Sequence, residues 1–374
     1  MNCVLTISDS LNFIRNTNHA PYSAVCQLLE NEANSYVSNV RTQVAALTHG
    51  DNAWPITINE AEYGNALICS PYTTYVTYPL GELKKFSIPI KAVVLLNTLC
   101  MSLLCRLTKF NKVVQVNNNL NSLIKHPKQF SDILPLLTEK LTKKYAKHAI
   151  TFYRVNDALD VDLLNALKNC GYYVFPDRGV HVFFPETSFV RRSHVKRDIS
   201  LLRKSTHKIV LHDELTAEDA ERFAQLYKQL FIDKHSKRNP IYTEKYFRAA
   251  IVHRWHEYVA LRNEAGKIDA FISWFDVENI MVCGPLGYDF EVDRKAGLYR
   301  QLVALCLQRS HEKNRVFNMG GGSDVFKKNR GSTETLEYVA VYCGHLPLYR
   351  KIPWKILHWA CHKMIKRIMQ SSDL

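Results

Sequence analysis

Glycine and proline are scarce in this chain, at 14 and 13 of 374 residues. That scarcity excludes collagen-like and low-complexity architectures, which need far more of both. The ten cysteines include no C-x-x-C pair and no zinc-finger spacing, so no zinc ribbon or dithiol redox motif is encoded. Several of them (Cys69, Cys100, Cys105, Cys283 and Cys306) sit in apolar runs, where cysteine acts as a small core residue. Such usage fits a reducing cytoplasm. No apolar run reaches the length of a membrane span. The most apolar window, Ala92–Cys105, is broken by Asn97, Thr98 and Ser102. It predicts a buried core helix, with an interfacial segment as the alternative. The opening Met1-Asn-Cys-Val-Leu-Thr has no charged leader before an apolar stretch, so no signal peptide is expected. Acidic residues are also in short supply: 35 Asp and Glu stand against 49 Lys and Arg, a net charge of +14. The excess, spread over Arg191–Lys208, Lys234–Lys245 and Lys351–Arg367, favours nucleotide-like cofactors, RNA or an acidic membrane surface as partners.

What is present is enough apolar sequence for two ordinary domains. Residues 1–55 read as a mixed helical extension. Ala66–Cys69 and Tyr72–Tyr78, rich in aromatic and β-branched residues, predict strands. There follow a helix over Leu83–Leu107, a strand at Lys112–Val116, and a helix over Ile133–Tyr145 with Pro135 in its first turn. A strand at Ala149–Arg154, a helix over Leu159–Cys170, and strands at Tyr172–Phe175 and Val180–Phe184 complete a first domain, 56–188. Phe189–Thr206 is a basic helical connector, 189–206. From Lys208 the alternation starts again: a strand, a helix opened by the capping-box pattern Thr216-Ala-Glu-Asp, and a helix over Tyr242–Val252. A three-strand meander over Tyr258–Gly284, a helix over Arg294–Lys313 and strands at Arg315–Asn318 and Leu336–Cys343 close a second domain, 207–350. An amphipathic helix occupies 351–374. Trp354, Leu357, Cys361, Met364, Ile365 and Ile368 share one face, and Lys355, Lys363, Lys366 and Arg367 lie away from it. His358 and His362 have metal-ligand spacing, but no further ligand completes a site and no metal is expected.

Chemistry concentrates in the second half. Gly320, Gly321 and Gly322 precede Lys327, Lys328 and Arg330, a combination suited to a phosphate or carboxylate. The order strand, two helices, meander, helix, strand, short helix, strand resembles the GNAT superfamily of acyltransferases. Residues match at three places. Gly284-Pro-Leu286-Gly-Tyr-Asp289 lies where the family splays a strand and offers its backbone to pantetheine. Arg294-Lys295-Ala296-Gly297-Leu298-Tyr299 resembles the family's pyrophosphate turn at a helix N-terminus, with Tyr299 replacing the usual small residue. Phe326-Lys-Lys-Asn-Arg-Gly331 resembles the short helix that ends in Gly-Phe, with Ser332 in place of Phe and Lys327 where many members carry a tyrosine acid. Free N–H groups, a helix dipole and an arginine together attract phosphate whatever the ancestry.

Within the superfamily the likeness is to the tandem-domain branch that includes Fem-type peptidyltransferases and biosynthetic acyltransferases. It implies an α/β (α+β) fold: tandem GNAT-like domains, each a mixed, mostly antiparallel sheet flanked by helices, the first degenerate and the second catalytic. It also implies a cytoplasmic, bacterial-type biosynthetic N-acyltransferase in which an amine attacks a thioester directly. The donor is acyl-CoA or acetyl-CoA, or acyl carrier protein. Gly284, Leu286 and Arg294–Tyr299 would hold the cofactor, and Lys327, Lys328 and Arg330 phosphate or substrate. Glu337 and Asp289 are the candidate bases and Tyr342 the candidate acid. Cys283 as a nucleophile has no readable histidine partner. An amine acceptor is the obligatory partner, with an anionic membrane at the inner face as a further one through the C-terminal helix, and RNA ranked behind these. Two alternatives stand beside this reading: an aminoacyl-tRNA-dependent peptidyltransferase and a non-catalytic RNA- or membrane-binding protein.

Overall fold

A computed structural model describes residues 5–8, 25, 27–85, 88–185 and 188–372. Met1–Val4 and the side chains of Met364, Ile365 and Ile368 lie outside the described residues. The first half contains β1 (Thr6–Ser8), β2 (Gln43–His49), β3 (Asn52–Asn59), α1 (Ile88–Leu107), β4 (Val113–Val116), α2 (Gln129–Lys144), β5 (Ala149–Asn156), α3 (Val161–Asn169) and β6 (Tyr173–Phe183). The connector helix α4 (Ser193–Arg203) leads into β7 (Lys208–Leu211), α5 (Asp219–Tyr227), α6 (Glu244–Val252), β8 (Glu257–Arg262), β9 (Ile268–Val277) and β10 (Ile280–Tyr288). Then come α7 (Leu298–Glu312), β11 (Val316–Gly320), α8 (Asp324–Lys328), β12 (Ser332–Tyr342) and α9 (Leu348–Ser372).

Among the described residues every strand joins one sheet, in the order β1-β2-β3-β4-β5-β12-β6-β11-β10-β9-β8-β7. Pairing is antiparallel except for β4 with β5 and β10 with β11. These parallel pairs are each bridged by a helix, α2 in the first half and α7 in the second, as a parallel crossover requires. The order reveals an exchange. The last strand of the first half, β6, pairs with β11 of the second, and the last strand of the second half, β12, pairs with β5 of the first. The two exchanged strands pair with each other from Ser332↔Phe183 to Val341↔Tyr173. The mixed, mostly antiparallel sheet of the sequence reading is thus present, as two units fused through swapped ends.

Several expectations are corrected. Residues 43–49 and 52–59 are strands rather than helix, and the expected boundary at 55/56 falls inside β3. Both faces of this hairpin are covered, so its apolar residues run continuously without the alternation that marks a half-buried strand, and Pro55 argues against a strand interior. Ala66–Cys69 is a turn, and Tyr72–Tyr78 is helical. There Ser70 Oγ accepts from Thr73 N at 3.0 Å and Pro71 opens the turn, a Ser-Pro helix start that outweighs β-branching. Helix α2 begins at Gln129, which places Pro135 in its interior. Tyr172–Phe175 and Val180–Phe184 fuse into the single strand β6. Ala92–Cys105 is not a buried helix: Leu95, Leu96, Leu99, Cys100 and Leu103 are exposed, and among its described side chains Cys105 and part of Met101 enter the core.

Because each half depends on the other for a central strand, a fragment ending at residue 188 lacks β12 and leaves β5 and β6 without their partner. That fragment is expected to show no cooperative thermal transition by circular dichroism. The intact chain is expected to melt in one step.

Candidate active site at the splayed strands

Pairing between β10 and β11 stops at Val282↔Asn318, although β10 runs on to Tyr288. The Gly284-Pro285-Leu286-Gly287 stretch explains the break. Pro285 has no N–H to give a ladder, and the β9–β10 register shifts between Cys283 and Leu286. A Cβ on Gly284 would lie 2.5 Å from Ser273 Oγ and 2.7 Å from His256 Nδ1; one on Gly287 would lie 2.6 Å from the Leu226 backbone. Only glycine allows this close packing. Meanwhile β11 turns to pair with β6, so the two parallel strands diverge and leave one edge of β10 unpaired.

The turn that resembles a pyrophosphate site lies on the same strand's exit. Asp293 accepts from Lys295 N at 2.9 Å and shapes a turn over Arg294–Ala296. Gly297 follows at φ +61°, and a Cβ there would meet Leu201 of α4 at 2.7 Å. The first N–H groups of α7 have no intrahelical partner and no side-chain cap. They open on a cleft of about 700 Å³ lined by Lys234, Tyr288, Asp289, Phe290, Arg294 and Tyr299, among others. Arg294 and Lys295 are exposed and make no ion pair among the described residues. The structure therefore brings Asp289, Arg294, Gly297, Leu298 and Tyr299 into one cleft, with Lys295 and Ala296 in its turn and Leu286 in the core beneath. Tyr299 fills the small residue's place: its ring centroid lies 4.9 Å from that of Phe326 and 6.1 Å from that of Tyr288. Burial raises its phenol pKa, so it stays protonated.

The cations after the glycines are not a free cluster. Lys327 is buried, and Nζ gives its three protons to the carbonyls of Met319, Gly320 and Gly321 at 3.0, 2.8 and 2.9 Å. Burial lowers its ammonium to about 8. It staples the glycine loop closed. Arg330 is buried on the Phe326 ring at 3.3 Å and donates to Asp198 of α4 at 2.5 Å. Asp198 also accepts from Arg300 at 2.7 Å, so it ties the connector to α7 and α8. Lys328 is exposed and paired with Glu334.

The three acid–base candidates are placed apart. Asp289 accepts from Arg222 at 2.5 Å and from Lys267 at 2.9 Å. Burial pushes its carboxyl up, but the Glu291 N–H and these two cations more than offset that, bringing it to about 2. A carboxylate so acidic is a poor proton acceptor. Tyr342 stacks on His345 and packs against Tyr172 in the first half's core. Glu337 lies in the exchanged ladder, fully buried; Oε2 accepts from Arg178 at 2.8 Å, while Oε1 has no partner among the described residues.

Sequence reasoning missed what joins Glu337 to the splay. Arg178 also donates to the Ser122 carbonyl at 2.9 Å, in a first-half loop that passes under the second half. Neighbouring Asn121 accepts from Tyr246 at 3.0 Å, and Tyr246 contacts His256 Nε2 at 2.9 Å. With the Tyr246 proton given to Asn121, His256 is assigned as the Nε2–H tautomer, with the Nδ1 lone pair against Gly284. Burial depresses His256 to about 3, so it is neutral. The only available signal was the asparagine-rich run Asn117–Asn121 after β4: Asn117 and Leu120 have φ of +58° and +60°, a conformation asparagine tolerates better than most residues.

No protein-family model matches the sequence, and no curated protein matches it. Among solved structures the chain is similar to FemX, at 10% identity over 91% of this chain and 96% of that one, with a TM-score of 0.52. It also aligns with L-PGS from Bacillus licheniformis (15% identity, 61% of this chain, 77% of that one, TM-score 0.47). A tandem GNAT protein from the clavulanic acid biosynthesis pathway aligns at 10% identity over 90% and 98% of the two chains, with a TM-score of 0.40. The FemX likeness runs through both halves. At that identity the likeness is one of fold: the chain shares the fold of FemX.

Two outcomes follow from the Gly284–His256 contact. Gly284→Ala is expected to lose about 1–3 kcal/mol through overpacking, read from urea unfolding. His256 binds its proton more weakly in the folded than in the unfolded chain. Its stabilisation is therefore complete above about pH 6.5 and is lost as pH falls towards 3. Between pH 7 and 5 the wild type should lose about 2 kcal/mol more than His256→Gln in denaturant titrations at each pH.

Proposed function

We propose that this chain is an N-acyltransferase that moves an acyl group from acyl-CoA, or from pantetheine on an acyl carrier protein, to an amine by direct attack. The observation that carries the reading is the uncapped start of α7, with Arg294 and Gly297, opening on the cleft beside the unpaired edge of β10. Pyrophosphate would meet the free amides of Leu298–Arg300 and the Arg294 guanidinium. Pantetheine amides would pair with the open edge of β10, which would set the thioester at the Gly284 bulge. The amine then bonds to the carbonyl carbon, the C–S bond breaks, and the electron pair leaves on sulfur. Because a thiol has a pKa of about 8.5, the thiolate departs readily at neutral pH. The nitrogen's surplus proton needs an acceptor. Glu337 Oε1 has no partner among the described residues, and we assign it that role by way of water, since its side chain is fully buried and does not line the cleft. Tyr299 would crowd the phosphates from the side where a small residue is usual.

A second reading, aminoacyl-tRNA-dependent peptidyl transfer, draws support from the FemX-like fold and the +14 charge. Against it, α5 and α6 follow each other within residues 219–252, which leaves no room for the long helical arm that Fem-type enzymes can carry there.

Calorimetric titration with CoA and a long-chain acyl-CoA separates the two. Binding is expected in the wild type, weakened by about 1–3 kcal/mol in Arg294→Ala, as for a charge-assisted contact. No binding of either ligand would overturn the acyl-CoA assignment and leave acyl carrier protein or aminoacyl-tRNA as the donor to test.

A further inference from the structure

Helices α1 and α9 each turn an apolar row outward. On α1, Leu95, Leu99, Leu103 and Leu107 are 47%, 67%, 60% and 68% exposed. Their four-residue spacing makes one stripe, about 18 Å long. On α9, Tyr349, Ile352, Ile356 and Trp359 follow helical three-four spacing and are 50%, 45%, 40% and 63% exposed. The inner sides of both helices enter a single core: Met101 and Cys105 from α1, and Trp354, Leu357 and Cys361 from α9, pack around Phe110 and Phe175. Arg350, in the first turn of α9, donates to the carbonyls of Thr108 and Lys109 at the end of α1, at 3.1 and 3.0 Å. The two helices are therefore packed on one core, and no residue of either stripe lines the cleft at α7.

Charge says what covers them. Neither helix contains an Asp or a Glu. Arg106 and Lys109 are exposed beside the leucines, and Lys355 and Lys363 beside Trp359, with Lys363 Nζ 4.8 Å from the Trp359 ring centroid. We propose that this surface docks the protein on an anionic membrane. The leucines and isoleucines would enter the acyl boundary, Tyr349 and Trp359 would lie at headgroup level, and the cations would meet lipid phosphates. A two-fold dimer through the same rows would set cation against cation with no carboxylate between them, so the lipid surface is the better partner. No helix among the described residues is long and apolar enough to cross a membrane, which makes this contact peripheral. The inference does not depend on the acyl-transfer reading, because none of these residues belongs to the α7 cleft.

Co-sedimentation of the full chain with phosphatidylcholine vesicles, with and without phosphatidylglycerol, tests it. Binding is expected only to the anionic vesicles and should weaken as salt screens the cations. Leu99→Gln with Leu103→Gln, and separately Lys355→Glu with Lys363→Glu, should each weaken it by tenfold or more. Both pairs are solvent-facing, so an unchanged melting temperature checks that the variants fold. Equal binding to neutral vesicles, no binding at all, or binding untouched by both pairs would overturn the proposal. So would a dimer in sedimentation velocity that the Leu99→Gln, Leu103→Gln pair dissolves in a protein that ignores vesicles.

Discussion

The ladder between β6 and β12 is the interaction on which the rest of the molecule depends. It runs from Ser332↔Phe183 to Val341↔Tyr173 in the middle of the sheet, where Val174, Phe175, Val180, Val182, Val339 and Val341 are buried. Buried backbone N–H and C=O groups must find partners, and β6 and β12 each find them in strands of the other half. The swapped ends turn two incomplete sheets into one without a free edge at the centre. Charges follow the same seam. Arg154 pairs with Asp177, and Arg178 with Glu337, four buried or half-buried groups whose signs balance. Such pairs are held by mutual compensation, since either partner left alone would be a desolvated charge.

The cleft is a consequence of that exchange. Because β11 gives its outer edge to β6, it leaves β10 after three pairs, and the space between them opens. The bulge at Gly284 and Pro285 prevents β10 from following. The first half contributes to the site even though its own sequence carries no cofactor motif. Its Asn117–Leu123 loop reaches Tyr246, His256 and Gly320 beneath the splay. The connector, through Asp198, holds α7 and α8 in place from the other side. What reads in the sequence as a degenerate copy joined by a basic linker is, in three dimensions, the support of the cleft.

Much of the second half was legible because its signals are local. Helical and strand periodicity and the Arg294–Gly297 turn each depend on a few adjacent residues and lie where expected. The helix expected to open at Thr216 instead starts at Asp219, with no side-chain cap; the Asp219 carboxylate accepts from Thr216 N. The first half was less legible. Its β2–β3 hairpin is covered on both faces and shows no alternation, and α1 has core-like composition but an exposed outer face. Composition records how apolar a helix is, not which neighbours it meets.

The sequence by itself determined the order of elements in the second half, the glycine-proline break in β10 and the turn before α7. It did so because backbone freedom, ring constraints and helix ends are properties of short segments. Only the tertiary structure decided which polar groups are available. Lys327, Lys328 and Arg330 read alike as free cations, yet one is a staple within its loop, one is an exposed ion pair and one is anchored to the connector. Asp289, Glu337 and Tyr342 likewise read alike as site residues and fall in three different surroundings. Burial and partnership set a side chain's charge, reach and proton affinity, and both come from residues as far off as the 135 positions that separate Asn121 from His256.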